Sequence, residues 1–335
     1  MDKIVDLYNI PGDTGAPWRF KKMVEYIANF PDEIGPVINS YLKDKHASDN
    51  DKAWWVFLYS TCYCMGSGMV MMNELDYKTI TDKDIDEFWK IHKPKLIFQS
   101  DRRYIKYMNQ FPIIAKQFIK KCNRKPFDYI NQFVDYSDPI KTYNNLYKEV
   151  GTWKYYGRFS IILYIFNLCK VFPDIKVESS SYDWKNGATT TSAIYNARYQ
   201  DDKANEFDSG KAPALTKKEI YGMDVTLGII TDALKKYKPD KNWNIIDVSS
   251  DLCSFRKLFK GVRYQGFYVD RQQEEINQLE KSYPEHKDIW DFVWKAREEY
   301  IDHKYLGEVN GWSGIRKERM RLFLEKGYVG ADIEV

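Results

Sequence analysis

Apolar residues recur at helical spacing along most of the chain. Trp18–Phe30 carries them every three to four positions, and Asp32–Leu42 follows a Pro-Asp start. Ala53–Leu75 is the most apolar element, and its apolar run to Met72, broken by Ser, Thr, Cys and two Gly, reads as a buried core helix rather than a membrane span. The stretch "TITDKDIDEFWKIH" opens with Thr81 as an N-cap and acidic residues in the first turn, which the helix dipole favours. Arg102–Lys121, Phe127–Val134, Pro139–Val150 and Arg158–Val171 continue the helical pattern. "PDIKVESSSYDWKNGATTTS" and "DDKANEFDSGKAPA" read as polar loops. Thr216 is placed to cap a helix running through Tyr237, and Gln272–Tyr283, His286–His303 and Ile315–Lys326 complete the series. One short segment, "YQGFYV" (Tyr264–Val269), reads as a strand.

No internal repeat, heptad run or low-complexity tail is present. The expectation is a mainly α fold: a single compact helical domain over residues 1–335, with long polar loops and at most a few short strands. The loops near 176–192 and 200–214 are expected to act as gates, the first marking a sub-boundary.

Composition narrows the class. The chain has 335 residues, 44% apolar and 30% charged, an ordinary globular balance with enough length for a sizeable core. Aromatic content is high at 16%, with 26 Tyr, which fits either wet binding surfaces or an AT-rich coding sequence. Net charge is only +3, but it is unevenly spread. Residues 1–100 carry 12 Lys+Arg against 15 Asp+Glu, whereas residues 101–170 carry 13 against 5. A local basic stretch in a near-neutral protein suggests a defined anionic ligand or a nucleic-acid track. The five Cys lack zinc or disulfide spacing, and with four scattered His no metal site is expected. Free thiols suggest a reducing cytoplasm, and the N-terminus lacks the apolar core of a secretory leader.

There is no P-loop, no GxGxxG after a strand, no HExxH and no paired CxxC, so no cofactor is expected. "MGSGM" (Met65–Met69) lies within apolar sequence, where glycines serve close helix packing more readily than phosphate binding. Cationic and aromatic clusters remain. "SDRRYIKY" sets Arg102, Arg103 and Lys106 at a helix start, a phosphate site or a solvated basic face. "YYGRFS" puts Arg158 at the start of an apolar helix, where a charge needs a partner or a ligand. "YDWKNGATTTS" combines Trp184, Lys185 and hydroxyls, suited to a nucleic-acid backbone, a flipped base or simply a polar loop. The densest cluster, "SSDLCSFRKLFKGVRYQGFYVDRQQEEI" (Ser249–Ile276), supplies Arg256, Lys257, Lys260 and Arg263 as charge and Tyr264, Phe267 and Tyr268 as stacking faces. Within it, Cys253 is a nucleophile candidate or a small buried residue. Asp270 is a base candidate or an orienter of Arg271, and Asp251 lies close by.

"WWVFLYSTCYCMGSG", "FWKIHKPKLIFQSDRRYIK", "GRFS" and "LCSFRKLFKGVRYQGFYVDRQQEEI" resemble the bacteriophage predicted amino acid:DNA transferases of thymine hypermodification. These stand beside the alpha-glutamyl/putrescinyl thymine pyrophosphorylases in the same pathways. The resemblance spans roughly residues 50–275 through diffuse motifs, and it does not separate the two groups. It implies displacement of phosphate or pyrophosphate from an activated 5-hydroxymethyluracil by the amine of an amino acid or polyamine. The partners implied are double-stranded phage DNA and the free amino acid or polyamine, in the host cytoplasm, with no membrane. Clustered Arg and Lys suit the polyanion and its leaving group, and neutralising the attacking amine calls for a carboxylate base.

The expected roles follow. Arg102, Arg103, Lys106, Arg158, Lys185, Arg256, Lys257, Arg263 and Arg271 contact phosphate or DNA. Tyr264, Tyr268 and Trp184 stack on bases. Asp270 or Asp251 activates the amine, and Cys253 adds transiently to the pyrimidine ring. Two other classes remain open: a non-catalytic phage DNA-binding protein, and a helical glycosylase-like enzyme acting on modified bases.

Overall fold

The computed structural model describes residues 34–99, 105–179, 188–199, 213–241, 243–259 and 267–301, together with residues 24, 25, 27, 28, 182, 184 and 206. In chain order the helices are α1 (Gly35–Asp44), α2 (Asp49–Cys62), α3 (Met65–Glu74), α4 (Asp82–His92), α5 (Ile105–Cys122), α6 (Pro126–Asn131), α7 (Pro139–Val150), α8 (Arg158–Val171), α9 (Ala188–Tyr199), α10 (Lys217–Tyr237), α11 (Ile245–Phe259), α12 (Phe267–Ser282) and α13 (Lys287–Tyr300). A 3-10 turn, Pro284–His286, precedes α13. The fold is mainly α, and no strand occurs among the described residues. The segment read as a strand through Val269 is a correction: from Phe267 onward it is the first turn of α12. Its β-prone residues are overridden by packing, with Val269 fully buried.

The chain groups into two compact units, one drawn from Met1–Pro31, Glu178–Asp270 and Gly307–Val335, the other from Asp32–Val177 and Arg271–Leu306. The second unit is built around α2. Every residue from Ala53 to Cys62 is buried, and a helix apolar on all sides belongs in the middle of its neighbours. It packs against α3, α5, α6 and α8. Aromatic stacking fills the space: Phe57 lies flat on Phe118 with ring centres 4.0 Å apart, and Trp54 stacks on Phe57 at 5.2 Å. Ser48 starts α2 through a reciprocal capping box with Asp51. Thr81 and Asp84 start α4 in the same way, at the cap expected from sequence.

The single helix expected over Ala53–Leu75 is in fact two. Tyr63 adopts the left-handed conformation, φ 53°, and ends α2. The chain turns and re-enters as α3, and Trp54 Nε1 donates to the Leu75 carbonyl at 3.0 Å, tying the ends of the pair together. Gly66 has a steric reason. A Cβ there would lie 2.6 Å from Leu279 Cδ1 and 3.4 Å from the Trp290 ring, so the missing side chain is what lets α3 approach α12.

In the first unit, α9, α10 and α11 pack on one another pairwise. Their core joins Ile194, Met223, Leu227, Ile230, Val248, Leu252 and Phe255 with Val24, Ile27 and Trp184. Thr216 caps α10 in a box with Glu219, and the helix ends at Tyr237 as expected. The polar loop expected through Ser192 is corrected here as well, because Ala188–Tyr199 is helical. Thr190 and Thr191 are buried with partners inside the fold: Thr190 Oγ1 donates to the Ser249 carbonyl at 2.8 Å, and Thr191 Oγ1 to the Trp184 carbonyl at 2.7 Å. The last expected helix, Ile315–Lys326, lies outside the described residues.

Two glycines predict opposite effects. Gly66→Ala forces a methyl against buried Leu279 and lowers stability by about 1–3 kcal/mol. Gly228 sits inside α10, and a Cβ added there would meet nothing within 4 Å, so Gly228→Ala raises stability by about 0.5–1 kcal/mol. Urea denaturation of the two variants beside the parent chain checks both signs.

Candidate functional site

The junction of α2 and α3 leads into the polar interior of the second unit. Beyond α4 the chain returns along this junction, with the Gln99 amide donating to the Cys62 carbonyl at 3.1 Å and the Ile97 amide to Ser67 Oγ at 2.9 Å. That return places the Gln99 side chain against α12, where Gln99 Nε2 donates to Glu275 Oε1 at 2.9 Å. Arg271, one turn earlier on α12, donates through Nε to the same oxygen at 3.1 Å. The Arg271 and Glu275 side chains are only 16% and 12% exposed, so this pair is not a solvated surface bridge. The Cys64 thiol also hydrogen-bonds the Glu275 carboxyl.

Burial dominates the electrostatics. Removal from water pushes the Glu275 carboxyl up to about 7, against the attraction of Arg271 and the hydrogen bonds from Cys64 and Arg271, while Glu274 pushes it further up. Burial likewise raises the Cys62 thiol to about 12 and the Cys64 thiol well above its usual range, so both stay protonated near neutral pH. Beside the pair, Gln272 Oε1 accepts from fully buried Arg297, and Gln272 Nε2 faces Met65 Sδ at 3.8 Å. Gln99 is 6% exposed, yet its Oε1 has no hydrogen-bond partner. The cluster therefore holds a carboxyl poised to exchange a proton near neutral pH, a guanidinium and an unsatisfied acceptor.

The residues expected from sequence are spread over both units. In the second unit, Arg271 lies within the cluster, bonded to Glu275. Arg158 opens α8, half-buried and engaged by neighbours. Lys106 lies in α5, but its side chain and all of Arg102 and Arg103 fall outside the described residues. In the first unit, Asp251, Cys253, Arg256 and Lys257 all lie on α11. Asp251 and Cys253 are two positions apart, hence about 200° around the helix, so they do not share a face. Arg256 is buried and engaged by neighbours, while Cys253 and Lys257 are half-buried and four residues apart on one flank.

Trp184 is 4% exposed within the core, its Nε1 donating to Asp224 Oδ1 at 2.8 Å and its ring centre 4.6 Å from that of Tyr182. Tyr268 packs, partly buried, against the same core. Asp270 lies in the first turn of α12 with its side chain outside the described residues, as are Lys185, Lys260, Arg263 and Tyr264. Sequence reading passed over Gln99, Cys64 and Glu275. The signal available was the four-residue spacing of Arg271 and Glu275. Among the described residues, no group of His, Cys, Asp and Glu is placed to hold a metal ion, and no helix is long and apolar enough to cross a membrane.

Comparison with known proteins shows a distant likeness to a phage protein. The chain is 22% identical over 298 residues, 82% of its own length and 70% of the relative's, to a protein of Salmonella phage ViI named Serinyltransferase. No family model matches the chain, and no solved structure matches it.

The Glu275 carboxyl makes stability depend on pH in a definite direction. Its raised value means that the folded chain holds a proton that the unfolded chain has released between pH 4.5 and about 7. The resulting stabilisation is full below 4.5 and is lost as pH rises through about 7, a change on the order of 3 kcal/mol. Glu275→Gln removes this component, so the stability difference between variant and parent shifts in the variant's favour from pH 5 to pH 8. Paired urea titrations at the two pH values measure it.

Proposed function

We propose that this chain transfers an amino acid onto an activated thymine-type base in DNA, displacing phosphate or pyrophosphate from a phosphorylated 5-hydroxymethyluracil. The observation that carries the reading is its similarity, over most of its length, to the phage protein named Serinyltransferase. The double-stranded phage DNA substrate, the hydroxymethyluracil and its leaving group come from the resemblance of the motifs and from the basic stretch of residues 101–170.

The chemistry asks for three things. The donor's ammonium must lose a proton before it attacks. Its lone pair then forms a bond to the 5-methylene carbon, while the electron pair of the breaking C–O bond leaves with the phosphate. Cationic side chains must hold the leaving group as its charge grows. Glu275 supports the first requirement, because a carboxyl with a value of about 7 accepts a proton near neutral pH and releases it again. Asp270 and Asp251 are further bases in this reading, and Cys253 is the residue proposed to add to the pyrimidine ring. For the leaving group and DNA backbone we assign Arg102, Arg103, Lys106 and Arg158, with Lys185, Arg256, Lys257 and Arg263. Tyr264 and Tyr268 are assigned to stack on the base, whereas Trp184, also expected to stack, is held within the core.

Nucleoside mass spectrometry tests the reading. The full chain is incubated with duplex DNA carrying phosphorylated 5-hydroxymethyluracil and a pool of amino acids and polyamines. The expected product is a nucleoside heavier than hydroxymethyldeoxyuridine by one donor less water. An unchanged profile from protein that binds this DNA contradicts transfer and favours the DNA-binding class, whereas released free base favours the glycosylase class.

A further inference from the structure

We propose that Gln99, Arg271 and Glu275 form the docking site for the free amino acid, taking its α-carboxylate on Arg271 and its α-ammonium on Gln99 Oε1 and Glu275. This rests on the transfer reading above and deepens it by naming where the donor binds and how it is recognised.

A buried amide oxygen without a donor is destabilising, and such atoms are uncommon in folded proteins. Gln99 Oε1 is one, although the other end of the same amide is committed to Glu275 Oε1. The amide is thus oriented by the carboxylate and presents its vacant acceptor beside it. A ligand that fills this position must donate. Glu275 asks for the same, because an ammonium near it would restore the charged form that burial disfavours.

Arg271 asks for the opposite. Its Nε is bonded to Glu275, while its two terminal nitrogens make no hydrogen bond to any described residue. Those nitrogens form a planar fork whose geometry matches a carboxylate. The cluster therefore offers acceptors and a cationic donor within one helical turn of α12. A phosphate or pyrophosphate would satisfy Arg271 but would bring negative charge against Glu275 and the amide oxygen. A polyamine would satisfy those two acceptors but would bring positive charge against Arg271. A zwitterion with adjacent ammonium and carboxylate groups satisfies all three.

The same arrangement gives Gly66 a second consequence. Leu279, which a Cβ on Gly66 would strike, lies one turn beyond Glu275 on α12. The close approach of α3 at this point brings Cys64 near the Glu275 carboxyl.

The test is steady-state transfer by the full chain onto DNA carrying phosphorylated 5-hydroxymethyluracil. The donors are each of the common amino acids, the decarboxylated amine of the one that is used best, and putrescine. An amino acid is expected to be the preferred donor, with its decarboxylated amine at least about tenfold poorer in kcat/KM. Arg271→Gln should raise KM for the amino acid by about tenfold or more and narrow the gap to the amine. Arg271→Lys, which keeps the charge but loses the fork, should fall between. Gln99→Leu should raise KM for amino acid and amine alike, because both present the same ammonium. Circular dichroism melting confirms that each variant is folded. Transfer from an amino acid that persists with an unaltered KM in the Arg271 and Gln99 variants overturns the docking site and leaves the transfer reading standing, whereas a preference for putrescine overturns the docking site and the amino-acid donor of that reading while leaving transfer to DNA. No transfer from any donor overturns both.

Discussion

Taking a carboxylate out of water is costly unless something replaces the lost hydration, and the second unit does this for Glu275 only in part. Arg271 and Gln99 both bond to one carboxyl oxygen, and the Cys64 thiol adds a weak third contact. This leaves the group in balance between its two protonation states near neutral pH. Much of the local architecture serves that balance. Tyr63 breaks the long apolar run so that Ser67 meets the returning segment of chain at Ile97, and the Cys62 carbonyl holds the backbone of Gln99. Gly66 lets α3 close onto α12. Further into the core, the stacked rings of Trp54, Phe57 and Phe118 make α2 a rigid support.

A partly compensated charge is a chemical resource. An amino acid in water carries the two charges that the cluster leaves unmatched, one of each sign, and its ammonium must shed a proton before the nitrogen becomes a nucleophile. A carboxyl far below neutrality would hold the ammonium without deprotonating it, and one far above would be protonated already.

How much of this was legible in the sequence depends on whether the deciding contact was local. Thr81 with Asp84 and Thr216 with Glu219 are capping boxes written within four residues, and both starts were found. Pro139–Val150 and Arg158–Val171 have the boundaries that their periodicity gave. The break at Tyr63 was not visible, because no Gly or Pro marks it. The buried Thr190 and Thr191 read as loop residues because their partners, Ser249 and the Trp184 carbonyl, are set by packing. The charged stretch from Ser249 drew attention away from Val248, Leu252 and Phe255, whose spacing is that of the buried face of α11. At the site, Arg271 was singled out and Glu275 was not. In "RQQEEI" both Glu274 and Glu275 lie at helical neighbour spacing from Arg271, and burial makes Glu275 the chemically unusual one.

That contrast can be measured directly. The side-chain carboxyl carbons of glutamate, labelled with carbon-13, can be followed by NMR through a pH titration of the full chain. A poised Glu275 predicts one resonance with a midpoint near 7 that is absent from Glu275→Gln. A spectrum in which every glutamate titrates near the ordinary value of 4.5 would contradict it.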